Sequence, residues 1–228
     1  MNSLFLKLAR VKSFFEWNHV TTLLISFMLL SAFSCSNQLE GLPDNETKGF
    51  ITIAISTPPN NFDPRLTNDQ ASSRIFQLVY SSLMVLDDDL KVKPSLALDL
   101  KNPDPLTYIA HLKQGVYFHN NQELTSADVV FTFESIIDQN SISPRKGAYR
   151  ALDSVTALDR YTVQFKLTEP FGAFPMQLVM PIVPKESNRP LQSFPIGTGP
   201  YQFERYLVDD QVVLSSFENY YDRKSLNN

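Results

Sequence analysis

The stretch LTYIAHLKQGVYFHNNQELTSADVVFTFESIID, residues 106–138, constrains the fold of this 228-residue chain more than any other. It opens with an alternating run in which Tyr108, Ala110 and Leu112 share one face, and this alternation predicts a half-buried strand. A tight turn at Gly115 follows, and then a short aromatic strand. A second turn is expected at Asn120-Asn121, because asparagine tolerates positive φ better than other non-glycine residues.

The second half of this stretch predicts a capped helix. Thr125 is a good N-cap residue, and Asp128 lies three residues on, in the capping-box position. The apolar face of the helix consists of Val129, Val130, Phe133, Ile136 and Ile137. A loop that contains Pro144 and Gly147 is expected to end this element.

The residues before this stretch predict a strand, a loop and a helix. FITIAIS, residues 50–56, is typical of a buried first strand. The following TPPNNFDPR is expected to be an irregular loop, because neither Pro58 nor Pro59 can donate to a sheet. A helix then carries an apolar stripe of Ile75, Leu78, Val79 and Leu83. DDDLKVKP predicts a turn that leads into a short strand.

Two further hairpins are predicted downstream. SVTALDRYTVQFKL alternates on both sides of an Asp159-Arg160 turn, and EPFGAFPMQLVMPIVPK predicts a short helix followed by a proline-bounded segment. The second hairpin is entered through Gly197-Thr198-Gly199-Pro200 and turns at Asp209-Asp210. For the two glycines we prefer a sharp entry into a strand over an anion-binding nest.

The only cysteine, Cys35, closely follows an apolar run from Val20 to Phe33. A basic segment precedes the run and a polar one follows it, as in a secretory signal. The run is shorter than the roughly 20 apolar residues that a membrane-spanning helix needs. A short buried helix or a true membrane anchor is the alternative interpretation.

The segment LLSAFSC resembles the lipobox of bacterial lipoproteins. That resemblance implies cleavage between Ser34 and Cys35 and attachment of a lipid to Cys35, whereas an ordinary signal peptidase would cut the same bond without adding a lipid. We therefore predict a signal peptide at residues 1–34 and a lipid-anchored flexible tether at residues 35–48. With one cysteine, the chain has no internal disulfide to form.

Composition and motifs argue against several classes of function. The formal net charge is -4, and no basic patch of the kind that offsets nucleic-acid phosphates is present. GxSxG, HExxH, P-loop and GxGxxG motifs are missing. His111 and His119 lack zinc-site spacing, and Asp87-Asp88-Asp89 lacks the glycine and bidentate glutamate of a calcium loop. We expect no catalytic residue, metal or cofactor.

Four segments together resemble one family: VYSSLMVLDDDLKVKPSLA, YIAHLKQGVYFHNNQELTSADVVFTFESI, LDRYTVQFKL and GTGPYQFERY. In this order and spacing they are similar to the bacterial extracellular solute-binding proteins of family 5, which serve peptide and nickel ABC transporters. The resemblance covers residues 50–221. The chain departs from the family at Asn120-Asn121, where Asp-Gly is usual, and in its length, because family members are about twice as long and have two lobes.

The resemblance implies a fold and a function. The fold would be α/β, periplasmic-binding-protein-like of class II, a mixed sheet with flanking helices and β-hairpins, with residues 49–228 as the first lobe of a truncated chain. The function would be substrate-binding component of an ABC importer, with two lobes closing on a peptide or similar small solute. The implied partners are permease subunits with a cytoplasmic ATPase, and a membrane reached through the lipid anchor, outside the cytoplasm. No nucleic acid is expected to bind.

The resemblance also implies candidate ligand-binding residues. In the family, the groups that hold the peptide's termini belong to the second lobe, and the first lobe contributes the loop after its first strand. The corresponding residues here are Thr57, Pro58, Asn60, Asn61 and Phe62, with a loop shaped only by its prolines as the alternative. Two other interpretations stay open for the whole chain: a non-transporting sensor or partner-binding lobe, and a non-functional fragment.

Overall fold

The structure, a computed structural model, describes residues 50–53, 57–208 and 210–222, and it describes side chains from Thr57 onward. The predicted signal peptide at 1–34, Cys35 and the predicted tether at 35–48 lie outside the described residues. Residues 54–56 of the predicted first strand and Asp209 of the predicted turn lie outside them too.

The described residues form nine strands and three α-helices. The strands are β1 (Phe50–Ile53), β2 (Met84–Leu86), β3 (Val92–Pro94), β4 (Ala97–Asp104), β5 (Thr107–Leu112), β6 (Leu152–Asp159), β7 (Thr162–Leu167), β8 (Tyr201–Leu207) and β9 (Gln211–Ser216). The helices are α1 (Gln70–Val79), α2 (Ser126–Ile137) and α3 (Phe174–Gln177), and a 3-10 helix spans Lys146–Tyr149.

The strands form three sheets, in the orders β1-β9-β8, β2-β3 and β4-β5-β7-β6. The predicted α/β class is confirmed, with helices flanking sheets built largely from hairpins. Every strand pairing among the described residues is antiparallel. The prediction named a mixed sheet, which contains parallel as well as antiparallel strand pairs, and these pairings include no parallel pair.

The four-stranded sheet and helix α2 form the main apolar core. Tyr108, Ala110 and Leu112 of β5 are all buried, which confirms the predicted face of this strand. The ring of Phe133 on α2 lies 5.3 Å from that of Phe165 on β7, in an edge-to-face arrangement that aromatic pairs favour. Phe174 of α3 continues the contact to Phe165 at 5.6 Å.

Helix α2 begins with the side-chain contact that the sequence predicts. The carboxylate of Asp128 accepts a hydrogen bond of 2.8 Å from the backbone N–H of Thr125. Its other oxygen accepts one of 2.8 Å from the backbone N–H of Lys185. Asp128 therefore satisfies an N–H at the helix start and also holds the proline-bounded segment after α3 against the helix.

Leu83 does not lie on the helix to which its spacing assigns it. Helix α1 ends at Val79, because Tyr80 turns to an extended conformation with ψ 157°. The chain then runs along another segment, with Ser82 bridged to Pro181. Leu83 is fully buried, so it matches the apolar pattern because it packs in the core, although it is not part of the helix.

Two other local predictions need correction. The predicted short aromatic strand after Gly115 is reduced to one bridge between Tyr117 and Glu123, and the backbone N–H of His119 donates to Gly197 O. The hairpin between β6 and β7 turns at residues 160–161, one position later than predicted, because Asp159 still pairs with Thr162. The turns at Gly115 and Asn121 are confirmed, with φ of 69° and 63°.

Candidate functional site

The loop that follows β1 places the five predicted ligand-binding residues at different depths. Thr57, Pro58 and Asn60 are exposed, and Asn61 is partly buried. No regular secondary structure forms between residues 57 and 69, as the two prolines predict. The exposed residues are therefore available at the surface, and the remaining two hold the loop in place.

Phe62 lies in the apolar core. Its side chain is 3% exposed, and its ring lies 5.2 Å from Phe203 and 5.5 Å from Tyr206. Its backbone carbonyl accepts a hydrogen bond of 3.0 Å from the hydroxyl of Tyr80. In this structure Phe62 anchors the loop to strand β8, while its exposed neighbours face solvent.

A buried ion pair fixes the middle of the loop. The guanidinium of Arg65 contacts both oxygens of Asp63, through Nη2 at 2.7 Å and Nε at 3.0 Å. Asp63 is fully buried, and the Arg65 side chain is 14% exposed. Arg65 also donates to Ser135 Oγ at 3.0 Å, so the pair ties the loop to helix α2. Such a two-point contact fixes orientation as well as distance.

Asp69 ends the loop as the N-cap of helix α1. Its carboxylate accepts hydrogen bonds from the backbone N–H of Ser72 at 2.8 Å and from the hydroxyl of Thr67 at 2.6 Å. Burial tends to raise the pKa of Asp69, but these hydrogen bonds together outweigh burial and lower it. Capping therefore favours the ionised form of this side chain.

Two clefts meet at Asn60. One has a volume of about 180 Å³ and lies between Thr57, Pro58 and the start of α1, where Arg74 lines it. The other has a volume of about 470 Å³ and lies between the loop, Phe194 and strand β8. All five predicted residues border one of the clefts, four of them with an exposed or partly exposed side chain and Phe62 with a buried one.

A third pocket, of about 510 Å³, was missed by the sequence reasoning. It lies beside the end of helix α1 and is lined by Tyr80, by several serines and by Arg145. The signal in the sequence is Arg145 itself, because no acidic residue lies between Asp138 and Asp153 to pair with it locally. We name this cavity the Arg145 pocket.

The glycines predicted to enter β8 pack directly on the end of helix α1. A Cβ atom at Gly197 would lie 2.1 Å from the backbone oxygen of Val79, and one at Gly199 would lie 2.4 Å from that of Leu78. The N–H of Gly199 donates to Val79 O at 2.9 Å, and the N–H of Gly197 donates to His119 Nδ1 at 3.3 Å. Both N–H groups already have partners within the protein, as a strand entry requires.

His119 holds this junction as a neutral imidazole. Because Nδ1 accepts from Gly197, Nε2 carries the hydrogen and donates to Gly199 O at 3.1 Å. Burial, the larger effect, lowers the pKa of His119 to about 4, against the hydrogen bond to Gly199, which raises it. This residue therefore has a structural role, as its place in a turn indicates.

Several other titratable residues form ion pairs or hydrogen-bonded pairs. His111 contacts Asp99 across β4 and β5, and Glu123 contacts Arg160 at 2.9 Å. Over residues 57–208 and 210–222, no three His, Cys, Asp or Glu side chains are grouped so as to hold a metal ion. None of the helices described is long and apolar enough to span a membrane.

Comparison with known proteins identifies the class to which this fold and its clefts belong. The family model of the bacterial extracellular solute-binding proteins, family 5 Middle, matches residues 91–228. The oligopeptide-binding protein AppA of Bacillus subtilis is 31% identical over 206 residues, 84% of this chain and 38% of AppA. The glutathione-binding protein GsiB of Salmonella paratyphi A is 28% identical over 89% of this chain and 41% of GsiB.

Solved structures agree with the family match. AppA in complex with a nonapeptide superposes with a TM-score of 0.68 and 33% identity, over 72% of this chain and 35% of AppA. DppA of Helicobacter pylori in complex with the peptide STSA has a TM-score of 0.64 and 28% identity, over 71% of this chain and 38% of DppA. The chain belongs to the bacterial extracellular solute-binding proteins of family 5. It spans about two fifths of the length of the relatives that it matches.

Proposed function

We propose that this protein is the substrate-binding component of an ABC importer, which captures peptides or a similar small solute outside the cytoplasmic membrane. The similarity to AppA, an oligopeptide-binding protein, carries this proposal. The site is the exposed part of the loop after β1, with Thr57, Pro58, Asn60 and Asn61 beside the two clefts. Its partners are the permease subunits and their ATPase, with residues 49–228 acting as the first lobe of the binding unit.

The arrangement suits binding of an extended chain. Asn60 offers both a donor and an acceptor at the point where the two clefts meet, and main-chain groups of a peptide need both. The ion pair of Asp63 and Arg65 and the core position of Phe62 fix the loop before a ligand arrives. A preorganised loop loses less conformational entropy on binding.

Calorimetry with short peptides tests this proposal on the full chain, exported and purified from a bacterial host. We expect saturable binding of peptides of two to nine residues, and Asn60→Trp, which places a bulky indole where the two clefts meet, should weaken it at least about tenfold. Asn188→Trp, at an exposed position that borders neither cleft, is the matched control. Peptide binding unchanged by Asn60→Trp would contradict the assigned site, and lack of any peptide binding would contradict the function.

We propose in addition that the protein is anchored by a lipid on Cys35 after removal of residues 1–34. The support is the sequence alone: a basic segment, an apolar run and a lipobox-like segment that ends on the only cysteine. Intact mass measurement should find diacylglycerol on a chain that begins at Cys35. Cys35→Ser should move the protein from the membrane fraction to the soluble fraction, and an unchanged distribution would reject the lipid anchor.

A further inference from the structure

The Arg145 pocket holds one positive charge and no negative one. Arg145 is the only charged residue among the described residues that line it, and the rest are serine, tyrosine, glutamine and apolar side chains. The pocket is distinct from the two clefts at Asn60, because it shares no lining residue with either of them. Its volume of about 510 Å³ suits a small organic ligand or one end of a larger one.

Arg145 is held in place without an acidic partner among the residues that the structure describes. Its Nε donates a hydrogen bond of 2.6 Å to the backbone oxygen of Pro64, which fixes the plane of the guanidinium. Over the part of the chain that the structure describes, no acidic side chain lies within 4.0 Å of this group. Arg65, by contrast, is paired at two points with Asp63.

A half-buried guanidinium without a counter-charge is unfavourable, because it loses hydration and gains no ion pair in return. Burial accordingly lowers the pKa of Arg145, although an arginine stays protonated at neutral pH. A carboxylate that enters the pocket would supply the missing charge and accept from both Nη atoms. Planar carboxylates fit a guanidinium in this two-point manner better than other common anions of metabolites, phosphates excepted.

The hydroxyl groups of the pocket complete this chemistry. Ser73 donates its hydroxyl hydrogen to Asp69 O at 2.7 Å, Ser81 donates to Thr198 O at 3.3 Å, and Ser82 donates to Met84 O at 2.7 Å. Because each hydrogen is already used, these oxygens can only accept from a ligand. The pocket therefore combines one charged donor with several acceptors, which complements a molecule bearing a carboxylate together with N–H groups.

We infer that the Arg145 pocket binds the free carboxylate end of a peptide or amino-acid-derived ligand, with the carboxylate on Arg145 and ligand N–H groups on the hydroxyl oxygens. This inference rests on the proposed function, because it assigns an end of the captured solute to a second part of the same chain. This assignment departs from the family resemblance, which places the groups that hold the peptide's termini in the second lobe.

Trialanine and its C-terminal amide test the inference, because they differ only in the charge that Arg145 would meet. We expect calorimetry to show that the acid binds at least about tenfold more tightly than the amide, as expected for a hydrogen-bonded charge pair. Arg145→Gln should abolish this preference. Arg150→Gln, which removes a nearby exposed arginine, should preserve it.

A second variant keeps the test independent of the contact between Arg145 and Pro64. Val85 lines the pocket and is 37% exposed, so Val85→Asp introduces a repelling carboxylate without removing Arg145. Val85→Asp should weaken binding of the acid more than binding of the amide, whereas Val208→Asp, outside the pocket, should leave the ratio of the two affinities unchanged.

Equal binding of trialanine and its amide would overturn the inference and leave peptide capture standing. Binding of the acid through Arg145, with peptide uptake unaltered in cells lacking the protein, would overturn the transport function and leave the carboxylate site standing.

Discussion

Two loops of this molecule are held in place by opposite means. The loop at residues 57–69, which we call the polar loop, is held by side chains: the Asp63–Arg65 ion pair and the Asp69 cap. The loop at residues 195–200, which we call the glycine loop, is held by its backbone, which lies against the end of helix α1. The polar loop borders the two clefts at Asn60, and the glycine loop leads into strand β8.

The difference concerns what each loop can tolerate. Side-chain contacts leave the polar loop's surface free for binding residues, but they depend on charge and therefore on pH. Backbone contact at Gly197 and Gly199 leaves no space for a side chain at either position, and His119, which bonds to both, is neutral. We therefore expect the polar loop to be sensitive to lost charge and the glycine loop to be sensitive to added volume or to protonation.

The largest effect is expected from Gly197→Ala in the glycine loop. The new Cβ would meet the backbone oxygen of Val79 at 2.1 Å, and a backbone atom cannot rotate out of the way. The free energy of unfolding, measured by urea denaturation, should fall by more than about 4 kcal/mol, or the chain should fail to fold. Gly172→Ala is the control, because its new Cβ would meet no atom within 4 Å. It should change the free energy of unfolding by less than about 0.5 kcal/mol. A stable Gly197→Ala protein would show that the two segments do not pack this closely.

The polar loop gives the next largest effect. Asp63→Ala leaves Arg65 buried without its partner, and unfolding free energy should fall by about 3 kcal/mol. Replacing both residues by apolar ones, as Asp63→Leu with Arg65→Met, should cost less than the single change, because no charge is then left unpaired. Asp89→Ala, which removes an exposed pair with Lys91 at 3.5 Å, should have no measurable effect. A double variant as unstable as the single one would show that shape, rather than charge, holds this loop.

Sequence reasoning recovered the elements whose cause is local. The strand at Tyr108, the turn at Asn121 and the Asp128 contact at the start of α2 each depend on residues a few positions apart. Leu83 was assigned to the helix because a residue buried outside a helix can still match helical spacing; in the structure the helix ends at Val79 and Ser82 is bridged to Pro181. This bridge joins residues that are far apart in the sequence, so the local pattern does not predict it.

In the candidate site, too, local features were predicted and long-range contacts were not. The family resemblance pointed to the loop after β1, and the exposed residues of this loop border clefts. Their role in ligand binding stays a prediction. Phe62 looked equivalent to its neighbours, but its contacts with Phe203 and Tyr206 join residues about 140 positions apart. The Arg145 pocket also assembles distant segments, from α1 to Tyr221, and periodicity carries no information about such a cavity.

In the glycine loop, acid should act through His119. Its pKa is about 4 in the folded protein, against an ordinary value of 6.5 for a solvated histidine, so the unfolded chain binds more protons between these values. The contribution of His119 to stability is therefore complete above pH 6.5 and lost as the pH falls towards 4, a change of roughly 3 kcal/mol. His119→Gln should be less stable at pH 7 but should lose less on acidification. Urea denaturation at a series of pH values measures this, with Asn188→Gln, at an exposed position, as the control. Parallel pH profiles of wild type and His119→Gln would contradict it.

The smallest effect is expected from Asp69, at the end of the polar loop. Asp69→Ala removes the acceptor for Ser72 N–H, and the unfolding free energy at pH 7 should fall by about 1 kcal/mol, whereas Asp69→Ser should retain most of the cap. Because the folded-state pKa is lowered from 3.8, the carboxylate stabilises the protein above that value and ceases to do so as the pH falls through the folded-state pKa. The difference between wild type and Asp69→Ala should therefore be constant near neutrality and shrink below about pH 4. Asp88→Ala, at an exposed position, is the control. A difference that persists unchanged into strong acid would mean that Asp69 acts through its shape, and the polar loop would then resemble the glycine loop at this end.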